Sequence, residues 1–350
     1  MEPQAGRIFK GRAAIAAESW NVTVIGSGSW GCAFGRLLWQ RGHRVQVLTL
    51  TAEEAVELNR THRNPHFLPG VELPSQLEFV AIGDADLGEA GLVAYAIPTQ
   101  AVRAVARWVA PRRRPDSLQL SLAKGLELGT LQRPSEIIAQ ETGAPAAALS
   151  GPNHAEEVAR DMPSATVIAS HDEESACVLQ GLITCETFRV YTNPDVVGVE
   201  FCGAAKNPVA MAVGMSDGLG YGDNTRASLI TRSVAELARL GAELGAHVAT
   251  FTGLAGIGDV IATCTSRHSR NRLAGELLAA GESPTEVEAK VGQVVEGIPT
   301  TYALHDLGRK LRVDMPVSEN VYEVLEHGRR PADCVRSLMG REPTREYRER

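Results

Sequence analysis

The sequence predicts an α/β, Rossmann-like doubly wound N-terminal domain followed by a mainly α-helical C-terminal domain. Three observations carry this. A strand, a glycine-rich turn and a helix follow one another in Asn21–Gly35 (NVTVIGSGSWGCAFG). Further short apolar runs then end in polar or glycine tips. Beyond Asn193-Pro194 the apolar spacing becomes helical. The expected layout is a flexible tail over 1–20, a dinucleotide-binding domain over 21–193, a helical substrate domain over 194–341 and a charged end over 342–350.

Taken in order, Val22-Thr23-Val24-Ile25 suits a buried strand. It breaks at Gly26-Ser27-Gly28-Ser29-Trp30-Gly31, a G-x-G-x-x-G, and Cys32–Arg41 reads as a helix closed by Gly42. Gly26 permits the tight turn, Gly28 admits a pyrophosphate to the backbone, and Gly31 lets helix and strand pack closely. A second strand covers Arg44–Leu50. The acid that holds an NAD ribose normally stands about 20 residues after the first glycine. Here the strand end is Leu48-Thr49-Leu50-Thr51-Ala52, without acid or arginine, and Glu53 and Glu54 come late, as first-turn acids of the helix Ala52–Thr61. The choice between NAD and NADP stays open.

A proline-rich loop, Arg63–Gly70, and a strand within Leu77–Ile82 follow. The strand Gly91–Ile97 stops at Pro98-Thr99, and Leu118–Ala123 stops at Lys124-Gly125 after a helix over Ala101–Val109. Ala146–Leu149 stops at Ser150-Gly151-Pro152-Asn153. Such tips are where doubly wound sheets bind ligands. Helices are then expected over Asp195–Met215, Asn224–Leu244, Ser269–Ala280, Pro299–Arg309 and Val317–Glu326.

The 350 residues are enough for two cores, and a net charge of −7 argues against a general nucleic-acid binder. No run of apolar residues reaches the uninterrupted length of a membrane span. Six cysteines without paired or metal-type spacing read as buried thiols of a reducing cytoplasm. His62 and His66 straddle Pro65 and read as loop, so no metal site is expected. Ala13–Ala17 could form a short helix within the tail.

Two segments attract chemical interest. Lys206 sits in the apolar run Val199–Met211, where burial would lower its pKa toward a useful acid–base range. Snorkelling to solvent is the plainer alternative, and composition alone favours it. Gly253–Asp259, Thr263 and Ser269-Arg270-Asn271 suggest close backbone passage and a phosphate cradle at a helix start; an ordinary basic helix start would look the same.

Together these motifs are recognisable. VIGSGSWG (24–31), HRNPHFLPG (62–70), AKGLE (123–127), LSGPNHAEEVA (149–159), FRVYTNPDVVGVE (188–200), GAAKN (203–207), GLGYGDNTRASLITR (218–232), GLAGIGD (253–259), SRNR (269–272) and VVEG (294–297) resemble the bacterial-type NAD(P)-dependent glycerol-3-phosphate dehydrogenases, from about Val22 to Arg341. The resemblance implies reduction of dihydroxyacetone phosphate to sn-glycerol 3-phosphate with NAD or NADP, in service of glycerophospholipid synthesis. It also implies a cytoplasmic protein without membrane insertion and a homodimer. It assigns catalysis to Lys206, Lys124 and Asp259. It assigns substrate contacts to those three and to Asn207, Thr263, Ser269, Arg270, Asn271, Gly151 and Asn153. The cofactor would meet Gly26, Gly28, Ser29, Trp30, Gly31, Lys124, Ala155, Arg270, Val294 and Glu296.

The departures are Leu48 and Leu50, where the family commonly has Trp and Arg or His; Asn153 and His154, where it has a small hydroxyl residue and Phe; and Pro208 after Lys206-Asn207. A proline there suggests that Asn207 caps a helix beginning at Pro208. Rival readings are a related hydroxy-acid or nucleotide-sugar dehydrogenase and a non-catalytic cofactor sensor.

Overall fold

The computed structural model describes residues 18–343 and 345–346. The possible helix within Ala13–Ala17 lies outside them. Trp20, expected in the tail, is instead anchored: its carbonyl accepts from the Arg44 N–H at 2.9 Å, and its ring lies against Gly91.

The first half is one eight-stranded sheet. Its strands are β1 Asn21–Ile25, β2 Arg44–Thr49, β3 Glu78–Ala81, β4 Leu92–Tyr95, β5 Leu118–Ser121, β6 Ala146–Ser150, β7 Ser164–Ala169 and β8 Phe188–Asn193. Their order is β3-β2-β1-β4-β5-β6-β7-β8. All neighbours run parallel except β6 and β7. The order reverses between β1 and β4, which opens a crevice at their carboxyl ends. The expected strands are all present, one to three residues shorter than drawn or extended by one. β7 and β8 had no counterpart in the sequence reading.

Helices cover both faces. On one, α1 Ser29–Gln40, α2 Ala52–Thr61, α5 Ala155–Val158 and α6 Glu173–Ile183 bury Leu37, Leu38, Leu58, Val158, Leu179 and Leu182 against the strands. On the other, α3 Val102–Val109 and α4 Pro134–Thr142 bury Val102, Ala106, Val109, Ile137 and Ile138. Helix α1 starts three residues earlier than expected, because the glycine loop itself turns into it.

The second half is helical: α7 Val196–Gly218, α8 Asp223–Glu243, α9 Val248–Phe251, α10 Asp259–Thr265, α11 Arg270–Ala279, α12 Pro284–Val291, α13 Gly297–Leu311, α14 Pro316–His327 and α15 Pro331–Met339. α7 is the central post, buried at every residue from Gly198 to Ser216. It runs unbroken through Pro208, which corrects the expectation of a new helix capped by Asn207. Packing on all sides outweighs the local penalty of one lost backbone hydrogen bond. α11 crosses α7 where both carry glycine: a Cβ at Gly214 would lie 1.9 Å from the Arg272 carbonyl oxygen, and one at Gly275 would lie 2.1 Å from that of Met211.

By length and mean hydropathy, Val196–Gly218 and Val248–Thr265 reach the measure of a membrane span, although charged residues interrupt both; 89% of the first window is buried inside the protein. Of the six cysteines, Cys32, Cys202, Cys264 and Cys334 are buried, but Cys177 and Cys185 are only half-buried; none is in a disulfide.

Candidate active site

Four elements deliver polar groups to one point, three of them charged side chains. Lys124 follows β5, Lys206 comes from the middle of α7, and Gly151 and Asn153 follow β6. Asp259 opens α10. Ahead of α10, residues 254–258 form a π-type turn in which Gly256 takes a non-helical conformation. A Cβ there would lie 2.3 Å from the Phe251 carbonyl oxygen, so the close backbone passage expected of this glycine run is real. It passes a helix end and aims Asp259 at α7.

Lys206 does not snorkel. It is 6% exposed, and its Nζ donates to Asp259 Oδ1 and to Thr263 Oγ1 at 2.8 Å. An ammonium has three protons, so one stays available to a ligand. The Lys124 Nζ donates to Asp259 Oδ2 at 2.9 Å, the Gly151 carbonyl at 2.9 Å and Asn153 Oδ1 at 2.8 Å. Its donors are all committed, so its part is to hold Asp259 rather than to offer a free proton. Asp259 thus bridges the two lysines, one per oxygen.

The electrostatics follow. Burial pushes the Lys206 ammonium down, Asp259 pulls it back up and Lys124 pushes it down again, leaving it at about 8. Burial pushes the Asp259 carboxyl up, but the two lysine charges more than offset it and hold it below the usual carboxylate range. His154 faces the same cluster. Burial first, and then the Lys206 charge, push its imidazole below the ordinary value, and its Nε2 lies 3.2 Å from the Ala262 carbonyl oxygen.

Asn207 joins this cluster to the helix start beside it. Its Nδ2 donates to the Lys124 carbonyl at 2.9 Å, and its Oδ1 accepts from Asn271 Nδ2 at 3.0 Å. Asn271 Oδ1 in turn accepts from the Gly297 N–H at 2.9 Å. Ser269 caps α11, accepting from the Arg272 N–H. That leaves the remaining first-turn N–H groups and the Arg270 guanidinium for an anion. Arg270 spends one N–H on the Val294 carbonyl at 3.0 Å.

The glycine loop fits a dinucleotide. Gly26 has φ +106°, a region that favours glycine. A Cβ on Gly31 would lie 1.8 Å from the Gly26 carbonyl oxygen, whereas one on Gly28 would meet nothing within 4 Å. α1 therefore starts beside open space, with no side-chain cap on its N–H groups. On the far side of the crevice Glu296 Oε1 accepts from the Thr99 N–H at 2.9 Å, while its Oε2 is buried without a protein donor. That oxygen lies beside Gly125, where an added Cβ would stand 2.7 Å from it. Ala155, buried, starts α5.

The Trp30 ring packs on Phe34 and Phe188, with centroids at 5.7 and 6.3 Å. The Ser29 hydroxyl donates to the Phe67 carbonyl at 2.5 Å. Val294 contributes its carbonyl, its side chain being 47% exposed. Leu48 is core, and Leu50 is 81% exposed at the strand tip.

Other participants escaped the sequence reading. Asn64, buried, donates to the Ser27 carbonyl at 2.8 Å, so the HRNPHFLPG loop braces the glycine loop. Thr166 Oγ1 accepts from Asn153 Nδ2 at 3.2 Å and fixes the partner of Lys124. The Pro98-Thr99 strand tip was the signal for Thr99; nothing local marks Thr166. Among the described residues no group of three or more His, Cys, Asp or Glu is placed to hold a metal ion.

Comparison with known proteins agrees with this geometry. Residues 21–176 match the family described as NAD-dependent glycerol-3-phosphate dehydrogenase N-terminus, and residues 195–336 match its C-terminus. A glycerol-3-phosphate dehydrogenase (NAD(P)+) of Pelotomaculum thermopropionicum is 47% identical over 95% of this chain and 96% of its own. One from Moorella thermoacetica is 48% identical over 93% and 97%. The crystal structure of glycerol-3-phosphate dehydrogenase from Coxiella burnetii is similar at a TM-score of 0.88 and 34% identity, covering 92% of this chain and 99% of that one.

Proposed function

We propose a division of labour within the site of this chain, which belongs to the NAD-dependent glycerol-3-phosphate dehydrogenase family. The protein is an oxidoreductase that interconverts dihydroxyacetone phosphate and sn-glycerol 3-phosphate with NAD(P). When bound, the reduced nicotinamide supplies the hydride for the ketone carbon. The glycine-loop main chain, Ala155, Arg270, the Val294 carbonyl and Glu296 would hold that cofactor.

Lys206 gives its third proton to the substrate's ketone oxygen, and its charge stabilises that oxygen as negative charge develops on it. The single observation that carries this role is a buried lysine with two protons fixed by Asp259 and Thr263 and one left over. Once Lys206 is neutral, Asp259 would be a buried anion without compensation. Lys124, bound to its other oxygen, prevents that. Arg270, Ser269 and the first turn of α11 receive the phosphate, and Asn207 fixes their distance from Lys206 through Asn271. A cytoplasmic setting rests on the likeness to the bacterial relatives. The homodimer rests on family resemblance, and light scattering of the purified protein tests it.

Oxidation of NADH or NADPH is to be followed with dihydroxyacetone phosphate and, separately, with 2-keto acids. Turnover confined to the phosphate ester is expected. Arg270→Ala should raise the KM for dihydroxyacetone phosphate roughly tenfold or more, and an unchanged KM would remove Arg270 from the cradle.

A further inference from the structure

We infer that Glu54 reads the adenosine ribose and makes this protein prefer NAD(H) over NADP(H), an inference that rests on the dinucleotide reading above. Glu54 lies in the first turn of α2, capped by Thr51. Helical side chains lean toward the helix N-terminus, so a carboxylate here points back over the β2 tip. Its Oε1 accepts from Ser27 Oγ at 2.5 Å, and its Oε2 lies 3.4 Å from the Leu50 N–H. Ser27 stands between the first two glycines of the loop. The carboxylate therefore spans the gap between glycine loop and second-strand tip. With pyrophosphate at the start of α1, the adenosine ribose falls in that gap. The acid that seemed missing from the strand end arrives late in the chain, folded back by a helix cap.

Ser27 and Leu50 occupy two of about four acceptor positions on a carboxylate, which leaves room for a vicinal diol. A 2′-phosphate would instead meet the carboxylate charge, and the tip, Thr49-Leu50-Thr51-Ala52, carries no cation to offset it. The next arginines along the chain, Arg60 and Arg63, pair with Glu57 and Glu72.

Calorimetric titration of the full chain with NADH and with NADPH, without substrate, tests this apart from turnover. NADH is expected to bind about tenfold tighter or more; Glu54→Gln should weaken NADH and strengthen NADPH until they agree within about threefold. Leu50→Arg, at an exposed position, should tighten NADPH roughly tenfold while NADH stays within about twofold. Equal affinities in the unaltered protein, or an unchanged ratio in a folded Glu54→Gln variant, would overturn the role of Glu54 while leaving the reaction standing. Binding of neither cofactor would overturn the dinucleotide reading and this inference together.

Discussion

Asp259 and Glu236 are both almost fully buried carboxylates in the helical half, 2% and 1% exposed, and they sit on opposite sides of the ionisation question. Glu236, on α8, accepts from the Val317 N–H at 2.9 and 3.1 Å and the Ser318 N–H at 3.4 Å, capping α14 from a neighbouring helix. Burial pushes it up to about 7 in spite of those hydrogen bonds. Asp259 is held low by Lys124 and Lys206. Glu200, on α7, behaves as Glu236 does. Burial raises it although Arg133 lies 2.7 Å away and Ser135 donates from both N–H and hydroxyl. Backbone dipoles, and even one cation, leave a buried carboxylate weakly acidic here; two lysines keep it ionised. The fold uses the first arrangement to join helices and the second to run a proton transfer.

The largest effect should come from removing the lysine that gives up the proton. Lys206→Ala is expected to lower kcat roughly 10³-fold or more while the calorimetric Kd for the cofactor stays nearly unchanged. Asp259 would retain Lys124, so the fold should survive. Substantial remaining turnover would take Lys206 out of its role.

Next comes the second lysine. With Lys206 at about 8, reduction should decline above about pH 8, where the proton to be donated is lost, and oxidation should gain there. Lys124 is one of the charges that keep Lys206 low. Lys124→Met should therefore cut kcat roughly 100-fold and move the alkaline limb of reduction to higher pH. A limb that stays in place would show that the two lysines are not coupled through Asp259.

Legibility in the sequence divides along the same line. The glycine loop, the strand tips and the long helices were readable because their signals are local: a period, a cap, a breaker. Ser164–Asn193 was not, since its two strands and helix lie between short apolar runs without the punctuation that marked β4 to β6. Pro208 misled, because a local rule about helices cannot see that α7 is packed on every side. Lys206 could be singled out only as an oddity; its partners stand 53 and 57 residues further on. Glu236 left no mark at all, its contacts being 81 and 82 residues away. Glu54 was visible, but its contact with Ser27, 27 residues earlier, was not.

The smallest of these effects sharpens the comparison from the Glu236 side. Its folded pKa of about 7 lies above its ordinary value of 4.5. Between those two values the folded protein keeps a proton that the unfolded chain has released. Stability contributed by this group is therefore full below about pH 4.5 and is lost as pH rises toward 7, by an amount on the order of 3 kcal/mol. Glutamine has the shape of the protonated carboxyl and does not titrate. Glu236→Gln should match the parent in denaturant unfolding at pH 5 and be more stable than it at pH 8, with little effect on kcat at either. If the variant is equally destabilised at both values, the site needs the carboxylate charge at the α14 terminus, and Glu236 would then resemble Asp259 after all, held ionised by N–H dipoles instead of lysines.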